Sequence, residues 1–199
     1  QSTIALSEKI NNDSVISDEL ACNSIWNRLW SKNRKRCEVK TLTEICERPD
    51  SKPKLKTTID ALINWAETNS CSIMVARVRN TSSIQMSGLQ LSMIEPFELA
   101  QKVESLYLNQ NAIEDPSTIS SLPGLQHLYM SYNKIRSIHS LVVPKLQTLE
   151  LSYNPLTDLY PIKRFTELRS LQLHQTTKKD LNIALKPLRK LVSLGLGSN

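Results

Sequence analysis

LQHLYMSYN at Leu125–Asn133 and LQTLELSYN at Leu146–Asn154 are two copies of one nine-residue pattern, Leu-x-x-Leu-x-Leu-x-x-Asn. The pattern recurs along the 199-residue chain at steps of 22, 21, 22 and 23 residues. The copies are Val103–Asn111, Leu125–Asn133, Leu146–Asn154, Leu168–Thr176 and Leu191–Asn199. Because a unit of this length cannot bury its apolar side alone, neighbouring units are expected to stack into a curved solenoid.

In the middle of each copy apolar residues occur at every second position, as Leu128 and Met130 do on either side of Tyr129. This period of two predicts a short strand with one buried face. The aliphatic residues that follow recur at a spacing of three, which favours a 3-10 or extended segment on the convex side. The sequence therefore predicts an α/β fold, with a curved parallel sheet of about six coils over residues 81–199.

A degenerate copy of the pattern at Thr81–Lys102 supplies the first of these coils. Ile84 and Met86 take the two buried strand positions, and Leu89 stands where the other copies have asparagine. We expect Leu89 to pack against an N-terminal cap, because an end coil has no preceding repeat to cover it.

The asparagines of the pattern are predicted to be structural, since a buried amide can bond the backbone of its own turn and of the neighbouring coil. They are Asn111, Asn133, Asn154 and Asn199. Thr176 takes this position in the fourth full copy, and Lys178 falls where the other copies have an aliphatic residue. We therefore expect that coil to be irregular.

Residues 1–16 are predicted to be a flexible segment and residues 17–80 a helical capping domain. Ser17 can cap a first helix, on which Trp26 and Trp30 lie four residues apart, a spacing that favours core packing over a partner-binding stripe.

Three further elements are predicted to complete the cap. They are a second helix over residues 39–46, a third helix capped by Thr57, and a strand at Ser72–Arg79. In the third helix the expected apolar face is formed by Ile59, Leu62, Ile63 and Ala66.

All four cysteines, Cys22, Cys37, Cys46 and Cys71, lie in the first part of the chain. Their even number permits two disulfides with three possible pairings, but no Cys-x-x-Cys motif occurs. We favour reduced, partly buried thiols, and we predict neither a metal site nor a cofactor.

The formal net charge of +6 has its source in one stretch, residues 163–190. The basic residues there are Lys163, Arg164, Arg169, Lys178, Lys179, Lys186, Arg189 and Lys190, which we call the basic patch. Such a patch can attract anionic lipid or nucleic acid, although a solvated convex face is the commoner use. The sequence contains no apolar run long enough to span a membrane and no secretory signal peptide, and we expect the natural polypeptide to continue beyond residue 199.

The repeat pattern resembles the 22-residue class of leucine-rich repeats found in internalins and in phosphatase-regulator-type proteins. The Trp-rich segment Ser24–Trp30 with the degenerate first coil also resembles the leucine-rich-repeat effectors that bacterial pathogens inject into host cells, a group that includes the IpaH-type ubiquitin ligases. The first resemblance implies a recognition module. The second implies that a catalytic domain, with its Cys-x-Asp motif, would belong to a longer parent protein.

Alignment of the copies predicts which side chains face the hollow of the curve. Tyr107, Tyr129 and Glu150 form one column, Asn109, Ser131, Ser152 and His174 a second, and Gln110, Tyr132, Tyr153 and Gln175 a third. His127 and His174 lie in different columns two coils apart, too far to share a metal ion.

Clustered tyrosines are what a protein interface needs, although Tyr132 and Tyr153 could instead only pack on each other at the rim. We predict a non-enzymatic module that binds a protein, with no small-molecule substrate, in a bacterial effector or surface protein acting on a host. The protein would be secreted or injected into the host cell, or else cytoplasmic. The alternatives are the substrate-recognition half of a ubiquitin ligase and an anionic lipid or nucleic-acid surface at residues 163–190.

Overall fold

The computed structural model describes residues 53–197, and these contain a parallel sheet of six strands in sequential order β1-β2-β3-β4-β5-β6. The strands are β1 Ser83–Gln85, β2 Ser105–Tyr107, β3 His127–Tyr129, β4 Thr148–Glu150, β5 Ser170–Gln172 and β6 Ser193–Gly195. We number each coil by its strand. The predicted curved solenoid with a parallel sheet is confirmed.

The middle residue of each strand from β1 to β5 points into the core, and it pairs in register with its counterparts in the neighbouring coils; Leu194 of the end strand β6 is 39% exposed. Leu106, Leu128, Leu149 and Leu171 form this row, and all four side chains have no exposed surface. Burial of a leucine side chain contributes about 1.5–3 kcal/mol. The repeat spacing therefore builds one continuous apolar interior instead of separate small ones.

The convex side is built from short 3-10 helices and extended segments, as the three-residue spacing predicts. The 3-10 helices are Glu95–Leu99, Ser117–Ser121 and Tyr160–Arg164. In coil 3 the same path is extended, and Ile135, Ile138 and Leu141 are fully buried along it. The convex segments close the core from the side opposite the sheet.

The predicted asparagine positions behave alike in three successive coils, and Asn133 illustrates the geometry. Its Nδ2 donates to the carbonyl of Leu108 in the preceding coil at 2.9 Å and to the carbonyl of Met130 in its own coil at 3.1 Å. Its Oδ1 accepts from the N–H of Ile113 at 3.0 Å. Asn111 and Asn154 repeat these bonds, which confirms the structural role of the described asparagines; Asn199 lies outside the described residues.

Coil 5 departs from this geometry, as expected from Thr176. The Thr176 hydroxyl donates to the carbonyl of Leu173 at 2.9 Å, but a hydroxyl has one proton where an amide has two. The N–H of Leu156, the counterpart of Ile113, donates at 2.8 Å to the main-chain carbonyl of Asn154 instead of to a side chain of the next coil. Lys178 is exposed, and the convex segment is a short helix, Leu181–Leu185 (α3), instead of a 3-10 turn.

Two helices precede the sheet, and both correct the sequence analysis. Helix α1 runs over Pro53–Trp65, so Thr57 lies within the helix and does not cap it. Helix α2 runs over Cys71–Asn80, so the predicted strand at Ser72–Arg79 is wrong. Met74, Val75 and Val78 are its buried residues. Their spacing of one and four fits a helix face and outweighs the strand preference of β-branched side chains.

One side of helix α1 is buried, at Leu55, Ile59 and Leu62, and so is Ala66 directly after the helix. The buried Thr58 hydroxyl donates at 2.5 Å to the carbonyl of Met93, which ties the helix to the convex segment of coil 1. Helix α2 packs against α1 and against the 3-10 helix Glu95–Leu99. The part of the predicted cap formed by residues 1–52, including the Trp26 and Trp30 helix, lies outside the described residues.

Coil 1 is confirmed as a repeat, but the expectation for Leu89 is wrong. Ile84 and Met86 are buried on its strand, whereas the Leu89 side chain is 42% exposed. The N–H of Leu89 is satisfied at 3.0 Å by Oδ1 of Asn111, from the next coil. Asn111, Asn133 and Asn154 each donate to a carbonyl of the preceding coil, but in the described part of the chain no repeat precedes coil 1. A side chain at the asparagine position of coil 1 has no such carbonyl to bond, and the apolar Leu89 turns outward.

Cys71 begins helix α2 and is disulfide-bonded, which corrects the preference for reduced thiols at this position. The chain's other cysteines, Cys22, Cys37 and Cys46, lie outside the described residues. The spacing of four cysteines does not reveal their redox state, and this is why the sequence led to the wrong choice.

We expect Asn133→Ala to lower the free energy of unfolding by about 3 kcal/mol, because the Ile113 N–H and two carbonyls lose a buried partner. Denaturant unfolding followed by circular dichroism measures the change. Lys134→Ala is the matched control, since Lys134 is adjacent and exposed. Equal unfolding midpoints for the two variants would contradict the structural role of this amide.

Candidate functional site

The concave face is formed by the outward-pointing residues of the strands and by the alternate residue that follows each strand. These residues form three columns across the coils, and the predicted column of Gln110, Tyr132, Tyr153 and Gln175 lies one residue beyond the third of them, at the rim. The first column is Ser83, Ser105, His127, Thr148, Ser170 and Ser193; the second is Gln85, Tyr107, Tyr129, Glu150, Gln172 and Gly195; the third is Ser87, Asn109, Ser131, Ser152, His174 and Gly197.

Tyr107 and Tyr129 are paired in register on β2 and β3, as the alignment of the copies predicts. Their rings are stacked, with centroids 4.4 Å apart and an interplanar angle of 3°. Burial raises the pKa of Tyr129, and the neighbouring Tyr107 and Glu150 raise it further. The pair is therefore half-buried and fixed in position before any partner arrives.

A second stack joins Tyr132 and Tyr153 just beyond the strands of coils 3 and 4. The ring centroids are 4.2 Å apart at an angle of 8°, and the residues are 49% and 44% exposed. A hydrogen bond with Tyr153, together with burial, raises the pKa of Tyr132. These rings do pack on each other at the rim, the alternative open from the sequence, and they also display a large aromatic surface.

The backbone at this rim position is left-handed in coils 1 to 5. Gly88 has a φ of 75°, and Gln110, Tyr132, Tyr153 and Gln175 have φ values of 58°, 58°, 57° and 53°. Bulky residues seldom adopt this conformation, and holding them in it costs of order 1–3 kcal/mol each. The stack between the two tyrosine rings offsets part of that cost.

Glu150 follows Tyr129 in the second column, and its side chain is half-buried. Burial raises the pKa of Glu150 above its ordinary value of 4.5, while attraction to His174 acts in the opposite direction. Among the described residues, none forms a hydrogen bond or an ion pair with this carboxylate.

His127 and His174 lie on β3 and just after β5, and the structure does not bring them together. Nδ1 of His127 lies 3.0 Å from the hydroxyl of Thr148, and Nε2 of His174 lies 3.1 Å from Oε1 of Gln172. Residues 53–197 contain no group of three or more potential ligands that could hold a metal ion. Both histidines therefore serve as polar side chains of the concave face.

Ser131 and Ser152 are only 8% and 5% exposed, although the sequence predicts that they face the hollow. Their small side chains are covered by their neighbours in the same column, Asn109 and His174, which form hydrogen bonds with them. Oδ1 of Asn109 accepts from the N–H of Ser131 at 2.8 Å, and the hydroxyl of Ser152 accepts from the N–H of His174 at 3.1 Å.

Glycines in coil 6 make room for the side chains of coil 5, a feature that the sequence analysis missed. A Cβ atom at Gly195 would lie 1.7 Å from Oε1 of Gln172 and 2.6 Å from Nε2 of His174, and one at Gly197 would lie 2.8 Å from Nδ1 of His174. The signal was available, since glycine replaces a side chain at two positions of the aligned columns in the same coil.

The basic patch occupies none of the three columns. Lys163 lies over the ring of Tyr160 on the convex side, with Nζ 3.6 Å from the centroid, and Nζ of Lys190 lies 2.6 Å from a carboxylate oxygen of Glu167. Arg164 donates to the carbonyl of His139 at 2.9 Å. The remaining members, Arg169, Lys178, Lys179, Lys186 and Arg189, are exposed around coils 5 and 6.

Comparison with known proteins places this chain among repeat proteins. Residues 101–156 match the family model described as Leucine rich repeat. An adenylate cyclase of Mycosarcoma maydis is 35% identical over 92 residues, which are 45% of this chain and 4% of that protein. Receptor like protein 21 of Arabidopsis thaliana is 30% identical over 133 residues, which are 58% of this chain and 13% of that protein. The chain thus spans a small part of the curated relatives it matches.

Two solved structures share the fold. An internalin (inlF) of Listeria monocytogenes superposes with a TM-score of 0.62 at 24% identity, over 69% of this chain and 42% of that one. Internalin C2 of the same organism gives a TM-score of 0.58 at 23% identity, over 62% of this chain and 54% of that one. Among the helices of the described residues, none is long and apolar enough to span a membrane.

We expect Glu150→Gln to stabilise the protein near neutral pH. Since the folded state disfavours the carboxylate, its cost is absent below about pH 4.5, where both states are protonated, and appears as pH rises through the raised pKa. The unfolding midpoint of Glu150→Gln should exceed that of the parent protein near neutral pH, and the difference should disappear on acidification to below about pH 4.5. The exposed Glu104→Gln is the control, and a Glu150→Gln variant less stable than the parent near neutral pH would contradict the assignment.

Proposed function

We propose that this chain, a leucine-rich repeat protein, is a non-enzymatic recognition module that binds a protein partner on its concave face. The observation that carries the proposal is the presence of two stacked tyrosine pairs on neighbouring coils of one side, Tyr107 with Tyr129 and Tyr132 with Tyr153. Curved repeat arrays commonly present such a surface to another macromolecule.

The chemistry of tyrosine supports this role. A tyrosine ring offers a large apolar area with a polar tip, and it has few rotatable bonds to immobilise when a partner binds. Stacking at 4.4 Å and 4.2 Å already holds the four rings in place, so part of the entropic cost of binding is met by folding. The surrounding serine, asparagine and glutamine side chains supply adaptable hydrogen bonds.

We further propose that the parent protein acts outside the cytoplasm, as a bacterial surface or secreted protein that engages a host protein. The fold shared with two Listeria internalins supports this setting. The disulfide at Cys71 supports it independently, because disulfides persist in oxidising compartments and are rare in the cytosol.

The double substitution Tyr107→Ala with Tyr129→Ala is expected to weaken the affinity for the partner about fivefold or more, since an aromatic anchor contributes above about 1 kcal/mol. The partner is first identified by cross-linking to the immobilised chain and mass spectrometry, and its affinity is then measured by calorimetry. Tyr160→Ala is the matched control, since this exposed tyrosine lies on the convex 3-10 helix. If the double variant binds like the parent, the site lies elsewhere.

The disulfide of Cys71 gives a separate test of the proposal that the protein acts in an oxidising compartment. Protein isolated from its natural source, unfolded and alkylated without a reductant, should leave Cys71 unmodified, and prior reduction should make Cys71 react. Peptide mass spectrometry distinguishes the two states. Alkylation of Cys71 without reduction would argue against an oxidising compartment.

A further inference from the structure

The charge of the concave face is opposite to that of the chain. The protein has 25 lysines and arginines and a net charge of +6. None of these basic residues occupies the three columns defined above, in which Glu150 is the only residue that carries a fixed charge. A cationic partner group is therefore repelled by the basic patch and attracted by this one position of the concave face.

The ring of Tyr129 presents one of its faces toward Glu150. The Tyr107 and Tyr129 ring centroids are 4.4 Å apart, close to the spacing of adjacent strands, about 4.8 Å. The two rings are therefore stacked in the direction that leads from one strand to the next, and their faces are directed toward the neighbouring strands. Tyr107 covers one face of Tyr129. The other face is directed to the next strand, where Glu150 is the register partner of Tyr129.

The carboxylate of Glu150 lacks a cation of its own among residues 53–197. It interacts electrostatically with Tyr129 and His174, and the latter already has Nε2 3.1 Å from Oε1 of Gln172. Burial raises the pKa of Glu150, which means that its negative charge is poorly solvated. A partner cation placed beside it would remove that cost.

Resting on the proposed function, we propose that Tyr129 and Glu150 together form the receptor for an arginine side chain of the protein partner. A planar guanidinium stacks flat on an aromatic face and pairs with a carboxylate through two parallel hydrogen bonds. An aromatic ring and a carboxylate in adjacent register positions offer both interactions. Lysine, with a compact and strongly hydrated ammonium, matches this combination less well.

The direct test titrates the full chain with Nα-acetyl-arginine amide and follows the tyrosine ring signals by NMR. The lysine and citrulline analogues are titrated in parallel, and citrulline has nearly the shape of arginine without its charge. We expect arginine to bind several times more tightly than lysine and citrulline not to bind. Glu150→Gln should lose about tenfold in arginine affinity and Tyr129→Leu about fivefold, while Glu104→Gln should bind like the parent.

Any of three results in this titration would overturn the arginine receptor. The first is the absence of detectable arginine binding. The second is binding of the lysine or the citrulline analogue as tightly as arginine. The third is an unchanged arginine affinity in Glu150→Gln. Circular dichroism of each variant verifies that the fold is retained, and binding at Glu104→Gln verifies that a general loss of negative charge is not the cause.

A second measurement, with the identified protein partner, distinguishes this inference from the proposed function. If the Tyr107 and Tyr129 double variant and Glu150→Gln both lose affinity, both proposals stand. If only the double variant loses affinity, the concave face remains the binding site and the arginine receptor is wrong. If the double variant binds normally, the proposed function itself fails.

Discussion

The hydrogen bonding of the turn that follows each strand is the constraint on which the structure depends. Main-chain N–H and C=O groups at this turn lie beside the apolar core, where water cannot reach them, and each must find a partner. Asn111, Asn133 and Asn154 satisfy these groups by joining two coils through one side chain. The distance between successive coils is thereby fixed along with their register.

This fixed distance organises the candidate site. Parallel strands in register hold equivalent side chains one strand spacing apart, and that spacing is also a favourable separation for stacked aromatic rings. Tyrosines at the same position of adjacent coils therefore stack without further support, as Tyr107 and Tyr129 do. The left-handed rim residues belong to the same turn, one position before the asparagine in coils 2, 3 and 4.

Most of this arrangement could be predicted from the sequence, because the repeat fixes which residues share a column. The columns that contain Tyr107, Tyr129 and Glu150 are confirmed, and so is the irregular coil at Thr176. The helix and strand assignments failed before the repeats, where no periodicity constrains the chain. Ser72–Arg79 forms a helix because tertiary burial of one face decides between patterns that short β-branched segments leave ambiguous.

Other features depend on contacts that a single sequence does not display. The disulfide of Cys71 requires two thiols to meet in space, and the exposure of Leu89 reflects the end position of coil 1, which has no preceding repeat among residues 53–197 to pack against. The aligned sequence shows the two glycines of coil 6, but not that the side chains of Gln172 and His174 from coil 5 occupy the space beside them.

The replacement of asparagine by Thr176 changes how coil 5 is held against coil 4. Each of the three earlier junctions is bridged by an asparagine amide, but the Leu156 N–H at the junction of coils 4 and 5 bonds within its own coil. That junction relies instead on main-chain bonds, such as the one that Tyr153 donates to the carbonyl of His174, and on the hydroxyl of Ser152, which accepts from the N–H of His174. The placement of His174 beside Glu150 therefore depends on backbone pairing and one serine hydroxyl, without a shared amide.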